Sequence, residues 1–211
     1  MKLTSIIFTV LGLFQFTTPE DKTQNNWIEL KEGQSIDGYT KKNNQIYCGE
    51  TKCNAKPMSG VDVTTFRICP GSQYAKDKNY VYYPINIICI DYTDCGVCYC
   101  DKYIIKNVDV HNFTYLEKDY ATDKKKVFFR GEEILQADGK TFKVISGPEY
   151  FYFAIDKNKV YKHETIFPNA DPNTFYYDST NENNNPELYI FIIADKLNKW
   201  KFTPPHDIKP L

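Results

Sequence analysis

The sequence predicts an all-β fold of four to five β-hairpin repeats, each of about 33 residues, that form a stacked or meandering antiparallel sheet. Composition gives the first indication: 17 Tyr and 14 Phe among 211 residues favour strands, because flat rings pack well on a pleated surface. The second is a motif that recurs without gaps, 35, 46 and 33 residues apart. Its copies are "YTKKNNQIYC" from Tyr39, "YAKDKNYVYY" from Tyr74, "YATDKKKVFF" from Tyr120 and "FAIDKNKVYK" from Phe153.

Each copy predicts a strand, a polar hairpin tip and a return strand. In the second copy the tip is Asp77-Lys78-Asn79. An Asp side chain accepts hydrogen bonds from backbone N–H groups nearby, and Asn tolerates the left-handed backbone of a tight turn. The following residues, from Tyr80 to Tyr83, have the composition of a strand. The corresponding tip residues of later copies are Asp123, Asp156 and Asn158.

A second turn is expected to close each repeat. Its copies read "VDVTTF", "VDVHNF", "ADGKTF" and "ADPNTF", with turn-forming aspartates at Asp62, Asp109, Asp138 and Asp171. The Phe that ends each copy is expected to re-enter a strand and point inward. A degenerate fifth copy of the motif, "IADKLNKWKF", runs from Ile193 to Phe202. We predict that it carries one extra residue, Leu197, and therefore a bulge or a looser turn.

The ends of the chain suggest a domain organisation. Residues 1–18 are expected to be a signal peptide, because Lys2 precedes an apolar stretch that is too short to span a membrane comfortably. A buried N-terminal strand or helix that stays in the mature fold is the alternative. We assign 19–36 to a lead-in segment, 37–202 to the repeat domain and 203–211 to a C-terminal tail. The polar stretch 178–187 is expected to be a loop.

Seven cysteines support export, because an oxidising compartment would turn most of them into disulfides. All seven fall in or at the edges of the first two repeat copies, which are the longer ones, and we therefore expect the insertion at 84–107 to be stapled by disulfides. An odd count leaves one cysteine unpaired or paired between chains. A zinc site and a redox Cys-x-x-Cys remain alternatives for the densest cluster. The seven candidates are Cys48, Cys53, Cys69, Cys89, Cys95, Cys98 and Cys100.

Several function classes find no support in the sequence. A net charge of −1 gives no reason to expect a nucleic-acid partner, and no segment after the first is apolar enough to span a membrane. The tip Asp-Lys-Asn lacks the Gly and Glu of a calcium loop. None of the three His residues lies in a hydrolase motif. We therefore predict no catalytic residue, no cofactor and no metal.

The iterated "DKNYVYY", "DKKKVFF" and "DKNKVYK", together with Asp turns such as "ADGKTF", resemble the DKNYY family of bacterial proteins. The resemblance covers about residues 37 to 180. It implies a bacterial, exported protein built from repeats, and it carries no catalytic residue over to this chain. The cysteine-rich first half departs from the plain family pattern.

We expect a non-enzymatic protein that recognises another protein in the periplasm or at the cell surface, in one version an immunity or inhibitor protein. Tyrosine is enriched in interfaces, and alternate strand positions face outward, which makes Tyr80, Tyr82, Tyr103 and Tyr161 a candidate binding surface. Packing between stacked repeats is the other explanation for these rings. The alternative functions are a structural or adhesive envelope module and an enzyme with its site in the cysteine-rich loop.

Overall fold

The computed structural model describes residues 26–48, 56–84, 103–204 and 207–211, and the backbone alone of 87–89 and 98–100. The expected signal peptide lies outside the described residues. The described chain is built from antiparallel strands, which confirms the all-β prediction, and one short 3-10 helix. No helix in the described segments is long and apolar enough to cross a membrane.

The chain begins with a single short strand and a three-stranded sheet. Strand β1 (Ile28–Glu29) is part of the second sheet, where it pairs with that sheet's next strand in the sequence. Sheet I follows, with β2 (Ser35–Ile36), β3 (Tyr39–Lys42) and β4 (Gln45–Cys48) in sequential order. The lead-in segment therefore contributes strands to two sheets.

Sheet II contains the second motif copy and the cysteine-rich insertion. Its strands are β5 (Arg67–Ile68), β6 (Ala75–Lys76) and β7 (Val81–Tyr82), and β1 pairs with the free edge of β5. The insertion forms a separate hairpin of β8 (Ile87–Cys89) and β9 (Cys98–Cys100). Strand β10 (Ile104–Ile105) then returns to β7. The insertion therefore ends before Ile104, earlier than the expected boundary at 107.

Sheets III and IV repeat one four-stranded antiparallel plan in sequential order. The strands of sheet III are β11 (Thr114–Tyr115), β12 (Tyr120–Thr122), β13 (Val127–Phe129) and β14 (Glu132–Glu133). Those of sheet IV are β15 (Lys143–Val144), β16 (Phe153–Ile155), β17 (Val160–Lys162) and β18 (Thr165–Phe167).

Sheet V ends the chain on the same plan, and it corrects two expectations. It consists of β19 (Tyr176–Tyr177), β20 (Phe191–Ala194), β21 (Lys199–Thr203) and β22 (Asp207–Pro210), with the 3-10 helix η1 (Pro186–Leu188) before β20. The segment expected to be a tail supplies the fourth strand. The turn at Asp195 carries no extra residue, because its four residues close with an Asp195 N–Asn198 O bond, as at Asp77.

The structure also moves the boundary of the repeat. In sheets III to V the motif copy forms a central hairpin of the second and third strands, and in sheet II, where β1 adds a fifth strand, the central hairpin is β6 and β7. The second Asp turn was expected to close its own repeat. It lies instead just before the sequential strands of the next sheet. The buried aspartates at the tips lie 46, 33 and 39 residues apart, so the pitch varies with what is inserted between strands.

Consecutive sheets pack face to face, and one hydrophobic cluster lies between each pair. Because side chains alternate along a strand, each central hairpin of sheets II to IV contributes to two clusters. In sheet II, Ala75 and Tyr82 face sheet I, whereas Tyr74 and Val81 pack with Ala121 of sheet III. The repeated Tyr-Ala and Val-Tyr pairs are thus the sequence signature of a strand buried on both faces. The Phe after each Asp turn is buried, as expected, at Phe66, Phe113, Phe142 and Phe175.

The outer face of sheet V differs at the positions that pack forward in the other sheets. Counted from the buried aspartate of each tip, Lys199 stands where Val81, Val127 and Val160 pack against the next sheet. Lys201 stands where sheet II has Tyr83 and sheet III has Phe129, but sheet IV also has a lysine there, Lys162, so the difference specific to sheet V is Lys199. Lys199 is exposed. A polar outer face is the usual end of a repeat array, so sheet V has the character of a capping unit.

Candidate functional site

The antiparallel plan gives the stack two edges, which we call the turn edge and the bend edge. The turn edge carries the hairpin tips, which span four residues in every sheet from II to V: 77–80, 123–126, 156–159 and 195–198. The linkers between sheets lie at the same edge and differ little in length, at 106–113, 134–142 and 168–175.

At the turn edge, a buried aspartate joins the two turns of each sheet. Asp77 Oδ1 accepts the backbone N–H groups of Asn79 and Tyr80 at 2.7 and 2.8 Å. Its Oδ2 accepts the backbone N–H of Asp62 at 2.7 Å and the hydroxyl of Tyr82 at 2.6 Å. The aspartate therefore closes its own turn and holds the Asp turn that precedes it.

The same bonds recur in the later sheets with one variable donor. Asp123, Asp156 and Asp195 are buried, and Oδ2 of each accepts the backbone N–H of the preceding Asp turn at 3.0, 2.9 and 2.9 Å. Tyr161 supplies a hydroxyl to Asp156 at 2.6 Å. Phe128 stands at that position in sheet III and has no hydroxyl to donate.

The aspartates of the second turns are half-buried, and two of them, Asp62 and Asp138, pair with tip lysines. Lys78 Nζ lies 2.6 Å from Asp62, and Lys157 Nζ lies 2.7 Å from Asp138. The hydrogen bond from Lys78 is the main reason that the pKa of Asp62 falls to about 2. The predicted turn residues are thus in turns, and their carboxylates are engaged within the chain. We therefore assign the turn edge a structural role and not ligand binding.

The tyrosine that starts each copy links neighbouring sheets at the opposite edge. Tyr39 Oη donates to the Gln73 carbonyl at 3.0 Å, and Tyr74 Oη donates to the Asp119 carbonyl at 3.1 Å. Tyr120 Oη reaches both the Tyr152 carbonyl, at 2.9 Å, and the His163 carbonyl, at 3.0 Å. Each acceptor lies in a bend of the next sheet, so these hydroxyls hold the bends in place.

The predicted tyrosine surface is wrong at two of its four positions. Tyr82 and Tyr161 are fully buried, because their hydroxyls turn inward to the buried aspartates. Tyr103 is half-buried, and its hydroxyl accepts the Ser59 N–H at 2.9 Å. Tyr80 alone of the four is exposed, on the turn edge.

The bend edge carries almost all of the variation in length between the sheets. The first bends, which precede the central hairpins of sheets II to V, cover 69–74, 116–119, 145–152 and 178–190. The segments that follow these hairpins cover 83–103, 130–131, 163–164 and 204–206. The cysteine-rich insertion and the two longest first bends, in sheets IV and V, therefore lie at one edge of the stack.

The two long first bends build similar corners, each with an exposed tyrosine. "PEY" of sheet IV and "PELY" of sheet V place Tyr150 and Tyr189 in the left-handed region, at φ of 64° and 52°. Bulky residues rarely adopt that backbone, and such strain tends to concentrate at functional sites. The two rings meet edge to face with centroids 5.9 Å apart. They are 45% and 51% exposed, and Leu188 beside them is 62% exposed.

Hydrogen bonds fix both corners. Asn185 and Ile190 exchange two backbone bonds of 2.9 and 2.8 Å across the base of the sheet V bend. Lys118 of sheet III donates to the carbonyls of Gly147 and Pro148 at 3.0 and 2.5 Å. The stretch expected to be an unstructured polar loop is therefore an internally bonded bend. These corners were not predicted, although the Pro-Glu that precedes each tyrosine is a signal in the sequence.

A second cluster on the bend edge surrounds Arg130. Its Nε donates to Asp119 Oδ2 at 2.9 Å, and its guanidinium lies 5.2 Å from the ring centroid of Phe129. His163 stacks on Phe129 at 5.2 Å between centroids and contacts Tyr152. All these contacts are made among residues of sheets III and IV, so the cluster stabilises the packing of these two sheets.

The remaining candidate residues are placed as follows. Cys69 is buried and is a free thiol, which removes it from the disulfide candidates, and burial raises the pKa of that thiol. Cys53 and Cys95 lie outside the described residues, as do the side chains of Cys89, Cys98 and Cys100. Glu133 pairs with Lys126 at 2.7 Å. Among the described side chains, no group of three His, Cys, Asp or Glu is arranged to hold a metal ion.

A comparison with protein families matches the part of the chain that contains the repeated motif. The model of the DKNYY family matches residues 14–86 and 39–165, which together span most of the chain. No curated protein and no solved structure gave a match. The tips with Asp77, Asp123 and Asp156 lie inside the matched segments, where they form one recurring turn. The chain belongs to the DKNYY family.

Proposed function

We propose that this is an exported, non-enzymatic recognition protein that holds another protein along its bend edge. In its concrete form it is an immunity or inhibitor protein of the periplasm or cell surface. Rigid scaffolds commonly carry recognition on loops gathered at one edge, because such loops vary without disturbing the core.

One observation carries the proposal: the sheets are uniform at the turn edge and divergent at the bend edge. The tips have a constant length and are closed by the same aspartate bonds, so the stability of the fold is enough to explain them. Bends that range from two residues at 130–131 to the long insertion at 83–103 serve no such need. The exposed Tyr150–Tyr189 pair lies among them, and tyrosine provides a large contact area at a low cost in side-chain entropy.

The capped end of the stack favours recognition over an extended envelope module. A module that gains length by repetition needs an apolar face at which further units add. Lys199 and Lys201 occupy that face of sheet V. Lys199 lies 3.5 Å from Asp178, and burying this ion pair against another sheet would cost roughly several kcal/mol in desolvation.

Export also accounts for the cysteines. With Cys69 set aside as a free thiol, six cysteines remain, an even number that three disulfides would satisfy. Such bonds would stabilise an insertion that has no counterpart in the other sheets, because cross-links limit the entropy of a long loop.

Site-specific photocrosslinking in the native host tests the proposal. A photoreactive phenylalanine analogue replaces Tyr189 on the bend edge in one strain and Tyr80 on the turn edge in another. We expect one discrete adduct from position 189, with a protein of the envelope fraction, and none from position 80. Adducts of equal yield from both edges, or no adduct from position 189, would overturn the proposal.

A further inference from the structure

The two tyrosine corners of the bend edge have a chemistry that is specific enough to define a partner class. Each corner carries a glutamate close to its tyrosine in the sequence, Glu149 before Tyr150 and Glu187 just before Leu188 and Tyr189. Both glutamates are exposed, and neither forms an ion pair with any residue that the structure describes. The corners therefore present half-exposed aromatic rings and unneutralised negative charge together.

The nearest ammonium group does not cancel this charge. Lys118 donates its hydrogen bonds to the carbonyls of Gly147 and Pro148, beneath the Tyr150 corner. Burial lowers the pKa of Lys118, although the charges of Glu117 and Glu149 oppose that shift. The Glu149 carboxylate lies beside the Tyr150 hydroxyl and raises the pKa of that phenol. One partly buried ammonium thus lies near the exposed carboxylates of Glu117 and Glu149.

The backbone holds the rings in position before any partner arrives. Tyr150 lies within the turn that the Phe151 N–Pro148 O bond closes, and Tyr189 closes its own turn through the Tyr189 N–Pro186 O bond, both at 3.1 Å. Gly147 lies so close to the buried Phe151 ring that a Cβ at this position would collide with it. A preorganised site loses less entropy when it binds.

We infer that the paired corners bind an arginine side chain presented by a basic segment of the partner protein. This inference rests on the proposed function and narrows it. A guanidinium stacks on an aromatic face and can donate two parallel hydrogen bonds to a carboxylate, which an ammonium cannot match. Tyrosine and arginine are also the residues that most often dominate the energy of protein interfaces.

Fluorescence anisotropy with three labelled octapeptides tests the inference. They alternate glycine with arginine, with lysine or with glutamate, and each is titrated with the full-length mature protein at low salt. We expect the arginine peptide to bind most tightly, the lysine peptide more weakly and the glutamate peptide not at all. Replacement of both tyrosines, Tyr150→Asn with Tyr189→Asn, should weaken arginine-peptide binding about 5- to 30-fold.

The controls separate this site from general electrostatic attraction. Asparagine tolerates the left-handed backbone, so the double variant should keep its corners and its melting temperature. Tyr80→Asn, on the turn edge, should bind like the wild type. Glu149→Gln with Glu187→Gln should abolish the preference for arginine over glutamate.

Three outcomes would overturn the inference: no binding of the arginine peptide, equal binding of the glutamate peptide, or unchanged binding by the double tyrosine variant. If crosslinking from position 189 still captures a partner in any of these cases, the proposed function stands and only the arginine assignment fails. If crosslinking fails while the peptide binds at the corners, the proposed function is the part that is lost.

Discussion

The hydroxyl of Tyr161 and the backbone N–H of Asp138 donate to the same oxygen of Asp156, at 2.6 and 2.9 Å. The second oxygen accepts the N–H groups of Asn158 and Lys159. One buried carboxylate thus joins a strand, its own turn and the turn that opens the sheet. Its burial alone would raise the pKa of Asp156, but the donors outweigh that effect and lower it.

The first prediction concerns this carboxylate. Asp156→Asn keeps one acceptor but turns an amide toward the Asp138 N–H and the Tyr161 hydroxyl, so two donors lose their acceptor. We expect a loss of about 2 to 4 kcal/mol in the free energy of unfolding, measured with urea. The matched control is Asp123→Asn, where Phe128 offers no hydroxyl and the loss should be smaller. Equal losses would show that the tyrosine bond contributes nothing.

The second prediction concerns the bonds between sheets. Tyr120→Phe keeps the buried ring and removes the hydroxyl that reaches the carbonyls of Tyr152 and His163. We expect a loss of about 1 to 3 kcal/mol in the free energy of unfolding, because both carbonyls lose a donor at the bend edge. Tyr80→Phe, at an exposed position, should change stability by less than about 0.5 kcal/mol. Similar values for the two variants would contradict the role assigned to the Tyr120 hydroxyl.

The third prediction is the response to acid. The pKa values of Asp62, Asp156 and Asp195 are lower in the folded chain than the ordinary 3.8, so the unfolded chain binds more protons in that range. The stability they contribute is present above about pH 4 and is lost as the pH falls through the folded values, which for Asp62 is about 2. Urea titrations from neutral pH down to that value measure the loss.

Lys78→Gln is the control for the acid response. It removes the largest cause of the low pKa of Asp62, so the fall in stability at the acid end should become shallower. The contributions of Asp156 and Asp195 should remain. Stability that rises as the pH falls below 4, roughly, would contradict the assignment of these carboxylates.

The sequence was informative where the chemistry is local. The tip at Asp77 could be predicted because its bonds to Asn79 and Tyr80 lie within three residues of it. Its bond to Asp62 is 15 residues away, so the pairing of the two turns, and with it the true start of each unit, was not visible. The expected bulge at Leu197 came from matching Asp195, Lys196 and Asn198 to the Asp-Lys-Asn of the other tips, whereas the turn itself is fixed by the aspartate and the third residue after it.

Side-chain direction was the other limit. Strand alternation predicts that one face of a strand is exposed, which made Tyr82 and Tyr161 plausible surface residues. In a stack of sheets both faces are buried, and these rings lie beneath the aspartates they bind. Strand β22 was not predicted because Asp207–Pro210 is short and has several prolines around it. It is a strand only through its pairing with β21.

The fourth prediction identifies the unpaired cysteine. If the six other cysteines form disulfides, alkylation of the protein in denaturant without reductant should modify Cys69 alone. In the native state Cys69 should react slowly, because it is buried and its thiolate is disfavoured. Peptide mapping by mass spectrometry measures both. Modification of several cysteines under unreduced denaturing conditions would contradict the disulfide framework, and with it the argument for export.

The fifth prediction concerns the capping face of sheet V. Lys199→Val combined with Lys201→Tyr restores the residues that sheet II uses to pack against the next sheet. The variant should expose an apolar face continuous with the buried Ile192 and self-associate through it, because large apolar patches on a repeat end seek a partner. Sedimentation velocity at several protein concentrations measures the association.

Charge removal alone must be separated from the gain of apolar surface. Lys199→Gln with Lys201→Gln removes both ammonium groups without adding a packing face, so its sedimentation coefficient should match that of the wild type. If the glutamine variant associates as strongly as the Val-Tyr variant, charge repulsion rather than the polar cap limits the stack. If neither associates, the outer face of sheet V is not equivalent to the packing faces within the array, and the capping assignment is wrong.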